Sequence, residues 1–328
     1  RDRGTAKTII ISDDKVVVDE PSVVALDRRT DQMIAVGSQA KMMHEKVNRD
    51  IYTVRPLRDG VIANFNACEQ MLRGMIRMVH KGNRLFSPSL KMVIGVPSGS
   101  TEVELRAVRD SAEHAGAREL KLIYEPMAAA IGVGLDVLAP QGNMVVDIGG
   151  GSTEIAVISL GGIVADKSIR IAGDELTHDI QEYMARQHNI KVGERMAERI
   201  KIHVGSALTD LGEEAPEDYI VDGPNKITAL PMKVPVCYQE VAHCIESTVE
   251  TIEDSVLQCL EATPPELYAD IVKNGIWLTG GGALLRGLGQ RLSDKVKIPF
   301  HVAEDPLHSV ARGTAIALKN IDKFNFLM

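Results

Sequence analysis

From position 2 to position 147, a spacing of 145 residues, this chain repeats one short pattern, and the repeat constrains its fold more than any other feature. Asp2-Arg3-Gly4-Thr5 leads into the apolar residues 8–11, and Asp147-Ile148-Gly149-Gly150-Gly151-Ser152-Thr153 leads into residues 155–158. Each copy reads as a tight turn joining two strands and exposing backbone N–H groups. Glycine lets the chain approach a phosphate closely, exposed N–H donors bind anions, and a neighbouring carboxylate holds the Mg²⁺ that neutralises the phosphates. A single copy is ordinary turn chemistry, in which Asp accepts a local hydrogen bond. Two copies at a domain-sized offset indicate an internal duplication, with two related halves facing each other across a nucleotide. Asp2 and Asp147 are then the candidate metal ligands, and the strand expected to lead into the first turn would precede Asp2.

The length of 328 residues suits two domains. Short apolar segments at 8–11, 16–18 and 22–26 predict an antiparallel meander, and the second turn is followed by a similar hairpin through Gly161-Gly162. Helices fill the intervals. Thr101 and Glu104 have capping-box spacing, with Gly116 as a stop; Glu194–Val204 is amphipathic; Val241, Ile245, Val249, Ile252, Val256 and Leu260 share one face ahead of Pro264-Pro265; a last helix is expected over 309–321. Strands alternating with helices indicate an α/β protein with mixed sheets. The expected first domain covers 1–137 plus about 322–328, with an inserted subdomain near 28–80. The second covers 138–321, with its insert near 174–240.

A formal charge of -8 and a pI near 5.7 argue against a broad nucleic-acid-binding face, which needs clustered Lys and Arg. The cysteines have no C-x-x-C spacing and the histidines form no zinc-like cluster, so reduced thiols are expected. No run approaches the roughly 20 apolar residues needed to span a bilayer, and charges stand near the amino terminus where a signal peptide has its apolar core. A cytoplasmic location is the expectation.

A third glycine cluster, Thr279-Gly280-Gly281-Gly282-Ala283, follows the apolar residues 276–278 and precedes Leu284, Leu285 and Leu288 at helical spacing. This is either a helix start that lets a base or ribose lie on bare backbone, or a plain helix-entry turn. It has neither the Walker lysine placement nor G-x-G-x-x-G spacing. Glu198 and Lys201, three apart, either grip ribose hydroxyls and an adenine edge or form a solvated ion pair. Glu125-Pro126 opens a helix of small residues; its carboxylate either orients and deprotonates a water or serves as a first-turn acid favoured by the helix dipole. Ser152 and Thr153 either place a terminal phosphate or complete the turn.

Taken in order, Asp2 to Thr5, Glu125 to Gly132, Asp147 to Glu154, Glu198 to Lys201 and Thr279 to Ala283 resemble the five nucleotide-site motifs of the actin, Hsp70 and sugar-kinase superfamily. Within it, Val96-Pro97-Ser98-Gly99, Tyr124-Glu125-Pro126-Met127-Ala128-Ala129-Ala130-Ile131-Gly132 and Ala197-Glu198-Arg199-Ile200-Lys201 look like the MreB family of bacterial actin homologues. The resemblance covers essentially the whole chain. It implies an actin-like fold of duplicated ribonuclease H-like domains in four subdomains, ATP or ADP with Mg²⁺ in a central cleft, and slow ATP hydrolysis coupled to filament assembly. It further implies a protein at the inner face of the cell membrane, with itself, that membrane surface and the membrane proteins of cell-wall synthesis and cell shape as partners. By position, Thr5, Ala6 and Lys7 match the first phosphate loop and Gly149, Gly150 and Gly151 the second. Glu198, Arg199, Ile200, Lys201, Gly280, Gly281, Gly282 and Ala283 match nucleoside contacts. Glu125 matches the catalytic glutamate and Ser152 a phosphate-sensing threonine. The first loop departs from the family, which usually has leucine and asparagine where this chain has Arg3 and Lys7; Lys7 adds a candidate phosphate contact.

In residues 80–91, Leu85 and Phe86 stand among His80, Lys81, Arg84 and Lys91. They either dip into lipid or pack in the first domain's core. Burying both gives at most roughly 3–6 kcal/mol, and each nearby cation about 1 kcal/mol at an anionic surface, so one subunit binds weakly and a filament binds firmly. A small-molecule kinase and an Hsp70-like ATPase are the competing readings on the same fold. The first needs sugar-binding polar residues and a substrate base, the second a substrate domain, and neither is evident in the sequence.

Overall fold

The computed structural model describes residues 7–12, 15–44, 46, 49–58, 61–79 and 90–328. They fall into two compact units. The first comprises the described residues of Thr5–Pro140 with Ile158–Ile163 and His308–Met328; the second comprises Gln141–Val157 with Val164–Leu307.

In the first unit, β1 (Lys7–Ser12) and β2 (Lys15–Pro21) form an antiparallel hairpin. The predicted meander does not continue from it. Proline has no N–H to extend a ladder, and after Pro21 the chain bends, with Val23 N–H donating to the Pro21 carbonyl at 2.8 Å. β3 (Val24–Asp27) instead pairs antiparallel with both β4 (Met33–Val36) and β5 (Ile51–Val54). The short helix α1 (Ser38–Met43) lies between β4 and β5, and β6 (Leu57–Arg58) and β7 (Val61–Ile62) form a small ribbon. The helix α2 (Phe65–Val79) packs Ala67, Cys68, Met71 and Met75 against Val24, Leu26 and Val36.

β8 (Leu90–Val96) and β9 (Ala117–Tyr124) are parallel, with α3 (Glu102–His114) between them in sequence. The capping box forms as its spacing predicts. Thr101 N–H donates to Glu104 Oε2 at 2.7 Å, and Glu104 N–H donates to Thr101 Oγ1 at 3.3 Å. β9 runs directly into α4 (Glu125–Gly132), in which Pro126 through Gly132 are all buried.

The second unit is built on a five-stranded sheet ordered β12-β11-β10-β15-β16, containing β10 (Asn143–Ile148), β11 (Thr153–Ser159), β12 (Gly162–Ile169), β15 (Ile276–Thr279) and β16 (Phe300–Val302). β10, β15 and β16 run parallel. Leu160 and Gly161, at φ 50° and 73°, make the tight turn between β11 and β12. Two helices follow, α5 (Gly173–Gln187) and α6 (Glu194–Val204), then the antiparallel hairpin of β13 (Tyr219–Pro224) and β14 (Pro231–Val236).

The long helix predicted through Val241 and Leu260 is interrupted at Ile245 (φ -97°, ψ 2°), giving α7 (Tyr238–Cys244) and α8 (Glu246–Glu261). Its apolar stripe survives the break, because Val241, Ile245, Val249, Ile252, Val256 and Leu260 are all buried in the unit's core. The helices α9 (Pro265–Asn274) and α10 (Leu288–Val296) flank β15 in sequence.

The last helix, α11 (Ser309–Lys319), differs from its predicted assignment to the second domain: it belongs to the first unit, packed on α4. Glycine makes that packing possible, since a Cβ on Gly313 would stand 1.7 Å from the Ala128 carbonyl oxygen. Backbones this close leave no room for any side chain. The chain end returns to β9, where Met328 N–H donates to the Leu122 carbonyl at 3.0 Å and Leu122 N–H to the Met328 carbonyl at 2.9 Å.

Candidate functional site

Asp147 stands one residue before the end of β10, and its register partner across the parallel pair is Thr279, the last residue of β15. Ligands of open α/β sheets gather at the carboxyl ends of strands. The Thr279 hydroxyl donates to Asp147 Oδ1 at 2.7 Å, and Asp147 is only 5 % exposed. Burial pushes its carboxyl up to about 6; the Thr279 hydrogen bond opposes the rise and the charge of the buried Glu154 adds to it. Glu154 accepts a hydrogen bond from the Ser168 hydroxyl at 2.9 Å.

Beyond Asp147 the chain makes the turn that the sequence predicts. Gly149 N–H donates to the Ser152 carbonyl at 2.9 Å, while Gly149, Gly150 and Gly151 remain half-buried and the Ser152 side chain is buried. The amino end of α5 closes on this turn. Gly173 N–H donates to the Gly149 carbonyl at 3.2 Å and Asp174 N–H to the Gly150 carbonyl at 2.7 Å. Gly173 is the meeting point: a Cβ there would lie 3.2 Å from the Gly149 oxygen, 3.4 Å from Lys201 Nζ and 3.6 Å from Gly150 Cα.

Lys201 reaches this point from α6. Its ammonium donates to the Gly173 carbonyl at 2.6 Å and to Thr177 Oγ1 at 2.8 Å. Burial lowers its pKa, against the raising influence of Glu198, Asp174 and Glu194. A cation and a helix amino end thus meet the glycine turn, held together by hydrogen bonds to the Gly149, Gly150 and Gly173 carbonyls and the Thr177 hydroxyl. On the same helix Glu198 and Ile200 are buried and Arg199 is half-buried.

The third glycine cluster differs from its predicted form. Instead of opening a helix, Gly281–Leu284 makes a single 3₁₀ turn, and α10 begins only after Gly287, whose left-handed φ of 72° interrupts the chain. Three successive glycines are poor helix formers. Their role in packing is plain: a Cβ on Gly280 would stand 2.3 Å from the Ile148 carbonyl oxygen, and one on Gly282 2.2 Å from Ile148 Cγ2. Ala283 is buried, and Gly281 lies near Leu307.

Two contributors escaped sequence reasoning as site residues. In the sequence Thr279 stands only as the lead-in to the glycines. Arg286 donates through Nη1 to the Ile202 and Gly205 carbonyls, both at 3.3 Å, tying the carboxyl end of α6 to the segment after the glycine cluster. The sequence carries no signal for Arg286, because its partners are more than eighty positions away.

In the first unit, Glu125 is the first residue of α4 and half-buried, with its Cγ 3.4 Å from where a Cβ on Gly95 would stand. Lys7, a candidate phosphate ligand, pairs with Asp19 of its own hairpin at 2.8 Å. Asp2, Thr5, Ala6, Leu85 and Phe86 lie outside the described residues. Among the described residues no group of three or more His, Cys, Asp or Glu side chains is arranged to hold a metal, and no helix is long and apolar enough to cross a membrane.

The model of the MreB/Mbl protein family matches residues 1–326. The chain is 46 % identical over 326 residues to the cell shape-determining protein MreB of Escherichia coli (strain K12), covering 98 % of this chain and 93 % of that protein. It is 43 % identical over 324 residues to the cell shape-determining protein Mbl of Bacillus subtilis (strain 168), covering 98 % and 96 %. Among solved structures, MreB5 of Spiroplasma citri is 35 % identical; its AMPPNP complex superposes with a TM-score of 0.88 over 98 % of this chain and 95 % of that one, and its ADP complex with 0.89 over 98 % and 96 %. The fold is therefore actin-like, and the chain belongs to the MreB/Mbl family.

Proposed function

We propose that this chain is a slow ATPase that assembles with copies of itself into filaments at the inner face of the cell membrane, where the filaments organise cell-wall synthesis and so set cell shape. Membership of the MreB/Mbl family supports this reading, as does the binding of AMPPNP and ADP by MreB5. The observation that carries the nucleotide part is the convergence on Gly173 of the Gly149–Gly151 turn, the amino end of α5 and the Lys201 ammonium. The Gly149–Gly151 turn is the proposed phosphate side. Lys201, Glu198, Arg199 and Ile200 with Gly280 to Ala283 are the proposed nucleoside side, and Ser152 the residue that places the terminal phosphate.

Mg²⁺ fits the donor set. It is usually held by one or two carboxylates together with substrate phosphates and water rather than by an all-protein cage. Asp147 supplies one carboxylate, hydrogen-bonded through Oδ1, and Asp2 is the proposed second. When bound, the ion neutralises phosphate charge. Glu125 is the proposed carboxylate that orients a water and accepts its proton, a role worth about 10²–10⁴-fold. Leu85 and Phe86 are the proposed lipid contact, and hydrolysis acts as a timer on filament life.

Sedimentation with MgATP and anionic liposomes, alongside phosphate release, tests the reading. The wild-type chain is expected to pellet and to release phosphate slowly. Glu125→Ala should bind nucleotide and lose release by at least about a hundredfold, and unchanged hydrolysis removes Glu125 from the reaction. Protein that stays in the supernatant at micromolar concentration while phosphorylating a sugar overturns the filament reading in favour of a kinase.

A further inference from the structure

We propose that Thr279 is a positioning residue for the metal: its hydroxyl holds Oδ1 of Asp147 so that Oδ2 stays available to a divalent cation bound with the nucleotide phosphates. This rests on the reading of Asp147 as the Mg²⁺ carboxylate. Thr279 is fully buried at the end of the apolar run Ile276-Trp277-Leu278. A hydroxyl there needs a partner to offset its desolvation, and it has one in Asp147 Oδ1 at 2.7 Å.

Three features make the hydroxyl a fixed support. Threonine is stiff at χ1. The backbone on its carboxyl side is held by Gly280, at φ 80° and pressed against the Ile148 carbonyl. The parallel register sets Thr279 directly across from Asp147. Among the described residues no other hydrogen bond to the Asp147 side chain competes with it. Outer-sphere partners of this kind typically change metal affinity about 10–100-fold when removed.

The test measures the Mg²⁺ concentration that gives half-maximal binding of a fluorescent ADP to the full chain, together with Mn²⁺ binding in the presence of ADP by electron paramagnetic resonance. Thr279→Val should raise the Mg²⁺ requirement about tenfold or more and weaken Mn²⁺ binding in parallel, with ADP binding in EDTA unchanged. Thr279→Ser should return both close to wild type. Should Thr279→Val lose cooperative thermal unfolding, Thr279→Ala takes its place with the same expectation. A wild-type metal requirement in the variant lacking the hydroxyl, or a serine variant as impaired as valine, overturns the proposal. Asp147→Asn separates the two levels. If it leaves the metal requirement unchanged, Asp147 is no ligand and both readings fall; if it raises the requirement while Thr279→Val does not, only the role of Thr279 falls.

Discussion

Two glycine clusters flank the same buried carboxylate, and they are glycine for opposite reasons. At Gly280 and Gly282 the fold demands it, because a Cβ at either position would press to within 2.3 Å or 2.2 Å of Ile148 atoms and Gly280 has a φ of 80°. At Gly149 the fold demands little. None of Gly149, Gly150 and Gly151 has a positive φ, and the nearest atom to a Cβ on Gly149 is the Ser152 oxygen at 3.3 Å. The second cluster is packing that brings Thr279 and Ala283 to the end of β10, whereas the first is free of that demand and is the proposed phosphate side.

Substitution at Gly280 probes this contrast with the largest expected effect. Gly280→Ala combines a left-handed backbone with a collision against main chain, and should cost about 3–5 kcal/mol in denaturant unfolding. A loss below about 1 kcal/mol would break the contrast.

The carboxylate between the clusters comes next. A carboxyl whose folded value is raised to about 6 from 3.8 binds its proton more tightly in the native state, so stability falls as pH rises through this window. The shift corresponds to an effect on the order of 2–3 kcal/mol. Asp147→Asn should therefore match wild type in nucleotide-free stability near pH 4 and exceed it by about 2 kcal/mol at pH 7. Equal stability of the two proteins across pH 4–7 would show that Asp147 carries no burial penalty.

Gly149→Ala should have the smallest effect on folding, within about 1 kcal/mol, while weakening ATP binding by about tenfold or more as the methyl intrudes on the phosphate approach. Unaltered ATP affinity in a stable Gly149→Ala protein would make this turn merely structural.

Much of the molecule was legible from contiguous residues. The α6 stripe through Ile200 and Val204 and the Thr101–Glu104 capping box are local patterns, set by helix periodicity and cap chemistry within a few positions. The tight turn after Asp147 was legible for the same reason. Less legible were features that depend on a distant partner. The meander ends at Pro21, and β3 pairs instead with β4 and with β5, which begins 24 residues after β3 ends. The break at Ile245 left no trace in the apolar stripe that crosses it. The glycines after Thr279 resembled a helix start because spacing alone does not distinguish a 3₁₀ turn from the first turn of an α-helix.

By itself, then, the sequence determined the glycine turn after Asp147, the α/β alternation and the family, since each is written in short runs of side-chain chemistry. Only the tertiary structure decided that α11 packs against α4, that Lys201 lands on the carbonyl of Gly173, and that Thr279 supports an aspartate 132 positions earlier in the chain. The physical reason is separation: a local conformational preference is exerted over a few residues, whereas a buried hydrogen bond or a backbone contact needs two remote segments brought within a few ångströms by the packing of everything between them.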